Sequence, residues 1–433
     1  MDITVDLGQT IHALSDVLDF AGVDQGFHGK RVAVMAWHCG RVLGLNESET
    51  EDLYYAGLLH DCGMSSPSVD GRSRHPLGWE HDEGHCLKGE ALLGQFAPLA
   101  HLAPIVRHHH GRWDALRTMD IPEPVGRSAN LIYLVDRVDV LTAAHQERDP
   151  LLARHAVRDA IWQLSRSFFS RELVTPFLDI SDNEAFWLSL EERHLNRFLF
   201  ERKQKTRVKR ICFMELRQLA LMFVRIVDAK SPLTMQHSLG TARLARFLAY
   251  KAGLAEEVQD KMEVAGLLHD LGKLRVPNEI LEKPGKLNRE ERSLIERHSF
   301  ETYQILSGIK GLEDITLWAA CHHETLDGRG YPFRLAGEDL TLEMRIIAVS
   351  DVFQALAQRR PYRPSLSAAE VLDMLRAFVG QRRLDGAVVD MIGHDLEQAW
   401  ALATGSNLKA EFAGGDSPNP VETSDGPALP VDR

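Results

Sequence analysis

Cysteine is scarce in this chain: five in 433 residues, at positions 39, 62, 86, 212 and 321. So few, so scattered, exclude a disulfide framework. Long apolar runs are also missing, and none reaches the roughly 18 residues that a membrane span needs. The opening Met1-Asp2-Ile3-Thr4-Val5-Asp6 has neither the basic nor the apolar region of a secretory leader. A cytoplasmic protein with no membrane partner is therefore expected. There is no cationic excess: 50 Lys and Arg stand against 62 Asp and Glu, a net charge of −12. That balance argues against broad binding of nucleic-acid polymers. A phosphate-bearing substrate would have to be attracted locally, by metal ions and a few basic side chains.

Strand-like alternation is scarce as well, whereas helical stripes are plentiful. Leu239, Ala242, Leu244, Ala245, Phe247 and Leu248 follow helical spacing after His237, and Met262, Ala265, Leu268 and Leu271 do so around His269-Asp270. Leu342 to Leu356 forms another striped stretch, holding Asp351. With 44% hydrophobic and 26% charged residues, the composition is that of an ordinary globular protein.

A series of histidines and aspartates occurs twice. One copy reads His28, His60-Asp61, His85, His109-His110, Asp136; the other reads His237, His269-Asp270, His298, His322-His323, Asp351. Equivalent positions lie 209 apart for the first two, 213 for the next two and 215 for the last. So slow a drift over a hundred residues indicates duplication with small loop insertions. In the first copy His108-His109 is an alternate register for the paired histidines. A lone histidine is usually a hydrogen-bonded core or surface residue, but the ordered set offers the mixed imidazole and carboxylate ligands of a two-metal hydrolytic site. Adjacent residues on a helix point about 100° apart. His269 and Asp270 still serve neighbouring ions if Asp270 bridges, because a carboxylate has two oxygens.

The second copy resembles the HD-GYP family of the HD phosphohydrolase superfamily. The resemblance rests on His269-Asp270-Leu271-Gly272-Lys273, on His322-His323-Glu324-Thr325-Leu326-Asp327-Gly328-Arg329-Gly330-Tyr331-Pro332, on Asp351 and on Arg360-Pro361-Tyr362-Arg363. It implies one ion held by His237, His269, Asp270 and Asp351 and another by Asp270, His298, His322 and His323. Iron or manganese is the usual metal. It also implies that Lys273, read as one turn beyond His269 on the same helix, takes up charge on the phosphate, with Asp270 and Lys273 as the catalytic pair. Tyr331, Arg329, Arg360 and Arg363 are candidate substrate contacts. Some members bind a third metal through a Glu where this chain has Leu233, so two ions are expected. The family's usual run after the paired histidines is replaced by Glu324-Thr325-Leu326, which removes a stacking side chain at 326.

The first copy keeps the ligand pattern but has Met64 in place of the lysine, Gly111 in place of the glutamate, and no Gly-Tyr-Pro segment. Metal binding there without the same hydrolysis is the expectation. Cys62 and Cys86, flanking ligands, are read as buried small hydrophobes, with redox tuning as the alternative.

The expected fold is all-α: two tandem HD-type helical bundle domains joined by a helical connector. The boundaries are 1–200 for an N-terminal HD domain, 201–212 for a basic connector, 213–404 for the HD-GYP domain and 405–433 for a Gly-, Pro- and Ser-rich disordered tail. The expected activity is metal-dependent hydrolysis of a cyclic dinucleotide, by resemblance cyclic di-GMP cut to pGpG and onward to GMP, with the N-terminal domain regulatory or structural. Cyclic GMP-AMP is the alternative substrate. General nucleotide phosphohydrolysis and a non-catalytic signalling scaffold are the alternative functions. A diguanylate cyclase or another signalling protein is the expected macromolecular partner. The sequence does not set the oligomeric state.

Overall fold

In the computed structural model the described residues are 2–20, 26–64, 83–145, 149–205, 208–228, 234–283, 285–358 and 366–406. They are mainly helical. The chain opens with strand β1 (Asp2–Asp6) and helix α1 (Leu7–Phe20). Then come α2 (His28–Val42), α3 (Glu47–Leu59), α4 (Glu83–Gly94), α5 (Ala103–Arg107) and α6 (Glu123–Ala144). An outer layer of α7 (Pro150–Gln163), α8 (Arg171–Ser181) and α9 (Glu192–Lys203) completes the first half.

The second half repeats the scheme. Strand β2 (Val208–Cys212) leads into α10 (Phe213–Asp228), α11 (Thr234–Lys251) and α12 (Glu256–Leu268). After these come α13 (Arg289–Ser307), α14 (Glu313–Ala320) and α15 (Leu342–Ala357). Helices α16 (Ala368–Gly380), α17 (Gly386–His394) and α18 (Leu396–Thr404) close the bundle. In each half a central helix, α2 or α11, packs against the helix that follows it and against the long helix α6 or α15. The approach is close. A Cβ at Gly57 would lie 2.6 Å from Ala33 Cα, and one at Gly266 would lie 2.6 Å from Ala242 Cα. A side chain at either glycine would push the two helices apart and displace the histidines they carry.

Two elements depart from the sequence expectation. The connector is not wholly helical: α9 ends at Lys203, and 208–212 is a strand paired antiparallel with β1, Asp2 opposite Cys212 through Asp6 opposite Val208. Val208 and Ile211 suit a strand, and among the described residues β1 pairs with no other strand. Nor does Lys273 lie on the helix of His269. Helix α12 ends at Leu268, His269 caps it, and Lys273 sits in a separate 3₁₀ helix, Leu271–Arg275.

Helix α1 is shared between the halves. Ile11, Leu14, Val17 and Leu18 are buried. The helix packs on α3 in its own half and on α10, α13 and the 3₁₀ helix in the other. Lys310 N–H donates to Gln9 Oε1 at 2.8 Å, and the Arg275 guanidinium lies 4.7 Å from the Phe20 ring centre. Each fully buried Leu or Val contributes about 1.5–3 kcal/mol, so this seam is a substantial part of what joins the halves. Among the described residues no helix is long and apolar enough to cross a membrane. The predicted disordered tail falls, from residue 407, outside the described residues, as do Leu233, Arg360 and Arg363.

Candidate metal centres

Each half gathers its histidines and aspartates into one cluster. In the C-terminal half His237 comes from α11, His269 and Asp270 from the end of α12, His298 from α13, His322 and His323 from the turn after α14, and Asp351 from α15. Two groups form. His237 Nε2 lies 3.1 Å from His269 Nε2 and 3.0 Å from Asp351 Oδ1. His298 Nε2 lies 3.1 Å from His322 Nε2, and the His323 ring centre is 5.0 Å from that of His298.

Asp270 stands between the groups. Its Oδ2 is 3.4 Å from His237 Nε2 and 3.3 Å from His269 Nε2, while its Oδ1 is 3.5 Å from His298 Nε2 and 3.9 Å from His322 Nε2. Oδ1 is buried and accepts no hydrogen bond from the described residues. Leaving a buried charged oxygen unsatisfied costs several kcal/mol, a cost that a cation would offset. The donor set therefore fits a pair of divalent metals.

Hydrogen bonds behind the ligands fix the rings. His269 Nδ1–H donates to Gly266 O at 2.8 Å and His322 Nδ1–H to Ala319 O at 2.7 Å, which turns each Nε2 lone pair inward. His237 Nδ1 bonds Gln354 Oε1. Burial, with the neighbouring His323 and against Asp270, pushes His298 down to about 3. Burial likewise pushes His323 down to about 4, against Asp351 and Asp270. Neutral imidazole is the form that ligates. Burial also works against a charged His269, but Asp270 and Asp351 outweigh it and hold the group up at about 10. Lys273 makes an ion pair with Asp270 Oδ2.

The Gly-Tyr-Pro segment packs over the second group. The Tyr331 ring centre is 4.8 Å from that of His323 and 6.3 Å from that of His298, and burial raises its phenol pKa. The Tyr331–Pro332 peptide is cis. Glu324 anchors the segment: its Oε1 accepts from Phe333 N–H at 2.6 Å and Arg334 N–H at 3.0 Å, and its Oε2 from Leu335 N–H at 3.1 Å. A Cβ at Gly330 would meet Glu324 Cα at 2.4 Å, so glycine alone lets the segment fold back so closely. Arg329 is not brought to the cluster; its side chain is 88% exposed and stands 3.9 Å from Asp327.

The N-terminal half mirrors this arrangement. His28 Nε2 is 3.1 Å from Asp136 Oδ1. Asp61 turns Oδ2 toward His60 Nε2 at 3.4 Å and Oδ1 toward His85 and His109 Nε2 at 3.6 and 3.7 Å. The clustered pair is His109-His110; His108 is partly exposed. Besides Met64 and Gly111, three residues next to the ligands differ from their C-terminal counterparts. Arg137 donates from Nη2 and Nε to Asp136 Oδ2 at 2.6 and 3.0 Å, where the other copy has Val352. Asp139 takes the place of Gln354 and accepts from His28 Nδ1–H at 2.7 Å. Burial opposes a charged His28, but Asp136 and Asp139 outweigh it and raise the group to about 10. Cys86 replaces Ser299 beside the ligand histidine.

The sequence reading omitted Gln354, Asp139 and Arg137, and gave Glu324 no anchoring role. The first two stand three residues after Asp351 and Asp136, one helical turn on, which is where an orienting partner for a ligand on the facing helix belongs.

Comparisons with known proteins follow the same division. The HD domain family matches residues 222–388, and a second HD domain match covers 27–144. A 3'3'-cGAMP-specific phosphodiesterase 1 of Vibrio cholerae is 38% identical over 411 residues, covering 92% of this chain and 94% of that protein. A cyclic di-GMP phosphodiesterase response regulator of Xanthomonas campestris is 40% identical over 153 residues, 35% of this chain and 40% of that protein. The crystal structure of a cyclic GMP-AMP specific phosphodiesterase of V. cholerae has the same fold, with a TM-score of 0.61 at 23% identity, over 91% of this chain and 98% of that one.

Proposed function

This chain belongs to the HD-domain phosphohydrolases and is a cyclic dinucleotide phosphodiesterase; from that premise we propose that its substrate is 3'3'-linked cyclic GMP-AMP, hydrolysed in the C-terminal centre with two divalent ions of the iron or manganese class. The observation that carries the substrate is coverage. One relative named for 3'3'-cGAMP matches along both halves at 38% identity, whereas one named for cyclic di-GMP, at 40%, matches over 153 residues. Cyclic di-GMP, named first on the motif alone, is the competing substrate.

Bound ions would supply Lewis acidity toward the scissile phosphate and its attacking water. The side chains do the rest. Asp270 sets the spacing of the two imidazole groups through its two oxygens. His298, His322 and His323, neutral and turned inward, keep their lone pairs available. The Lys273 ammonium neutralises charge that builds on the phosphate as the bond from phosphorus to the 3' oxygen breaks. Tyr331, its phenol kept protonated by burial, closes one side and excludes water. The product is a linear dinucleotide with a 5' phosphate. Arg360 and Arg363 remain the candidate contacts to phosphate or base. Met64, Gly111 and the missing Gly-Tyr-Pro segment favour a regulatory N-terminal half.

The test is hydrolysis by full-length protein with Mn²⁺, measured on both cyclic dinucleotides. The expected kcat/KM is at least about tenfold higher on 3'3'-cGAMP, a difference of about 1.4 kcal/mol in the transition state. An equal or higher value on cyclic di-GMP overturns the substrate, and cleavage of neither overturns the site.

A further inference from the structure

The N-terminal cluster contains a group with no counterpart in the C-terminal one. Cys86 Sγ lies 3.5 Å from His85 Nε2 and 3.6 Å from His109 Nδ1, and the two Nε2 atoms lie 3.3 Å apart. His109 Nδ1–H is committed to Val106 O at 2.6 Å, so the lone pair of that ring is on Nε2. His110 joins the set, and each of the four residues offers a ligand atom within 4.8 Å of the others. Around a tetrahedral zinc ion, with bonds of about 2.1 Å to nitrogen and 2.3 Å to sulfur, ligand atoms stand roughly 3.4–3.6 Å apart. Two separations between the proposed ligand atoms, Cys86 Sγ to His85 Nε2 at 3.5 Å and His85 Nε2 to His109 Nε2 at 3.3 Å, have about that size, and His110 closes on the ion by a side-chain adjustment within the 4.8 Å cluster.

Burial supports the same reading. Cys86 is 2% exposed and His109 is fully buried. A thiol packed only as a small hydrophobe sits among aliphatic groups, whereas this one faces imidazole nitrogens. The equivalent position in the other half is Ser299, whose hydroxyl is a poor ligand for a soft metal. The two halves have therefore diverged in donor softness: both offer imidazole and carboxylate, and the N-terminal one adds a thiol.

We propose that the N-terminal half holds a zinc-class metal ion ligated by the Cys86 thiolate together with His85, His109 and His110. The thiol proton is released to solvent when the ion binds. The site is distinct from the proposed C-terminal pair, and neither proposal rests on the other.

The test uses full-length protein, stripped of metal and reloaded with Co²⁺, read by absorption. A thiolate-to-cobalt charge-transfer band in the near ultraviolet is expected. It should persist in Asp270→Ala and in Cys62→Ser, and vanish in Cys86→Ser and in the smaller Cys86→Ala. Zinc should displace the cobalt and bleach the band, and the apparent zinc affinity of Cys86→Ser should fall at least tenfold, about the least that loss of a ligand's supporting partner costs. Absence of the band in the wild type, its survival in both Cys86 variants, or its loss in Cys62→Ser overturns the proposal. Loss of the band in Asp270→Ala would move the thiolate to the other half, with the same consequence. Because the band is read without substrate, an inactive C-terminal centre would leave it unchanged.

Discussion

At the scale of single residues the C-terminal centre turns on Asp270, the side chain that faces both imidazole groups. Asp270→Ala is expected to lose both ions by elemental analysis; retention of one would refute a bridging role. Lys273→Met should keep its metal and lose about two orders of magnitude in kcat, the scale set by removal of one preorganised charge donor. Unchanged turnover would place Lys273 outside the reaction. Glu324 acts at one remove, through three backbone N–H groups of the following loop. Glu324→Gln keeps the shape and one acceptor oxygen. It should raise KM more than it lowers kcat, and hydrogen exchange at Phe333, Arg334 and Leu335 should quicken. Unaltered exchange would show that the loop is held by other contacts. Outside both centres, burial pushes His12 down to about 4, and its Nε2 is 3.3 Å from the Tyr54 hydroxyl. The neutral form is thus favoured in the folded state. Its contribution is intact above about pH 6.5, the unfolded value, and is lost as pH falls toward 4, by up to about 3 kcal/mol. The melting temperature should drop over that window, and His12→Gln should flatten the drop. An unchanged pH profile in that variant would assign the acid sensitivity elsewhere.

At the scale of elements the seam formed by β1, β2 and α1 is the feature with most consequence. The 3₁₀ helix that carries Lys273 also carries Arg275, whose guanidinium covers Phe20 of α1. A contact from the N-terminal half therefore reaches the short element holding a proposed catalytic side chain. Phe20→Ala removes the ring. The expected result is a several-fold lower kcat with unchanged metal content. A kcat equal to that of wild type would mean that α12 and α13 alone position the 3₁₀ helix.

At the scale of the whole molecule the two halves share a frame and differ in chemistry. Asp61 and Asp270 each divide their oxygens between two histidine groups, yet only the second half has Lys273, Glu324 and the Gly-Tyr-Pro segment. Asp61→Ala should therefore leave a measurable rate of cyclic dinucleotide hydrolysis, whereas Asp270→Ala abolishes it. If a folded Asp61→Ala protein is as inactive as Asp270→Ala, the N-terminal centre is essential to the reaction. Any influence of a ligand bound there requires that it bind one arrangement of the halves better than another.

The sequence by itself determined the helical class, the duplication and the histidine and aspartate series. Those follow from periodicity and spacing, which are local or strictly ordered along the chain. The tertiary structure alone decided the rest. It ended α12 at Leu268 and gave Lys273 its own 3₁₀ helix, because that break depends on how closely Gly272 approaches His298 O, where a Cβ would come within 2.0 Å. It made 208–212 a strand, because strand pairing needs an edge, and that edge lies some two hundred residues away at 2–6. It turned Arg329 to solvent and Cys86 toward imidazoles, since a side chain's direction is set by the packing of helices distant in sequence. Residue type and spacing name the groups available for chemistry; which of them meet is fixed only when the helices close around a common centre.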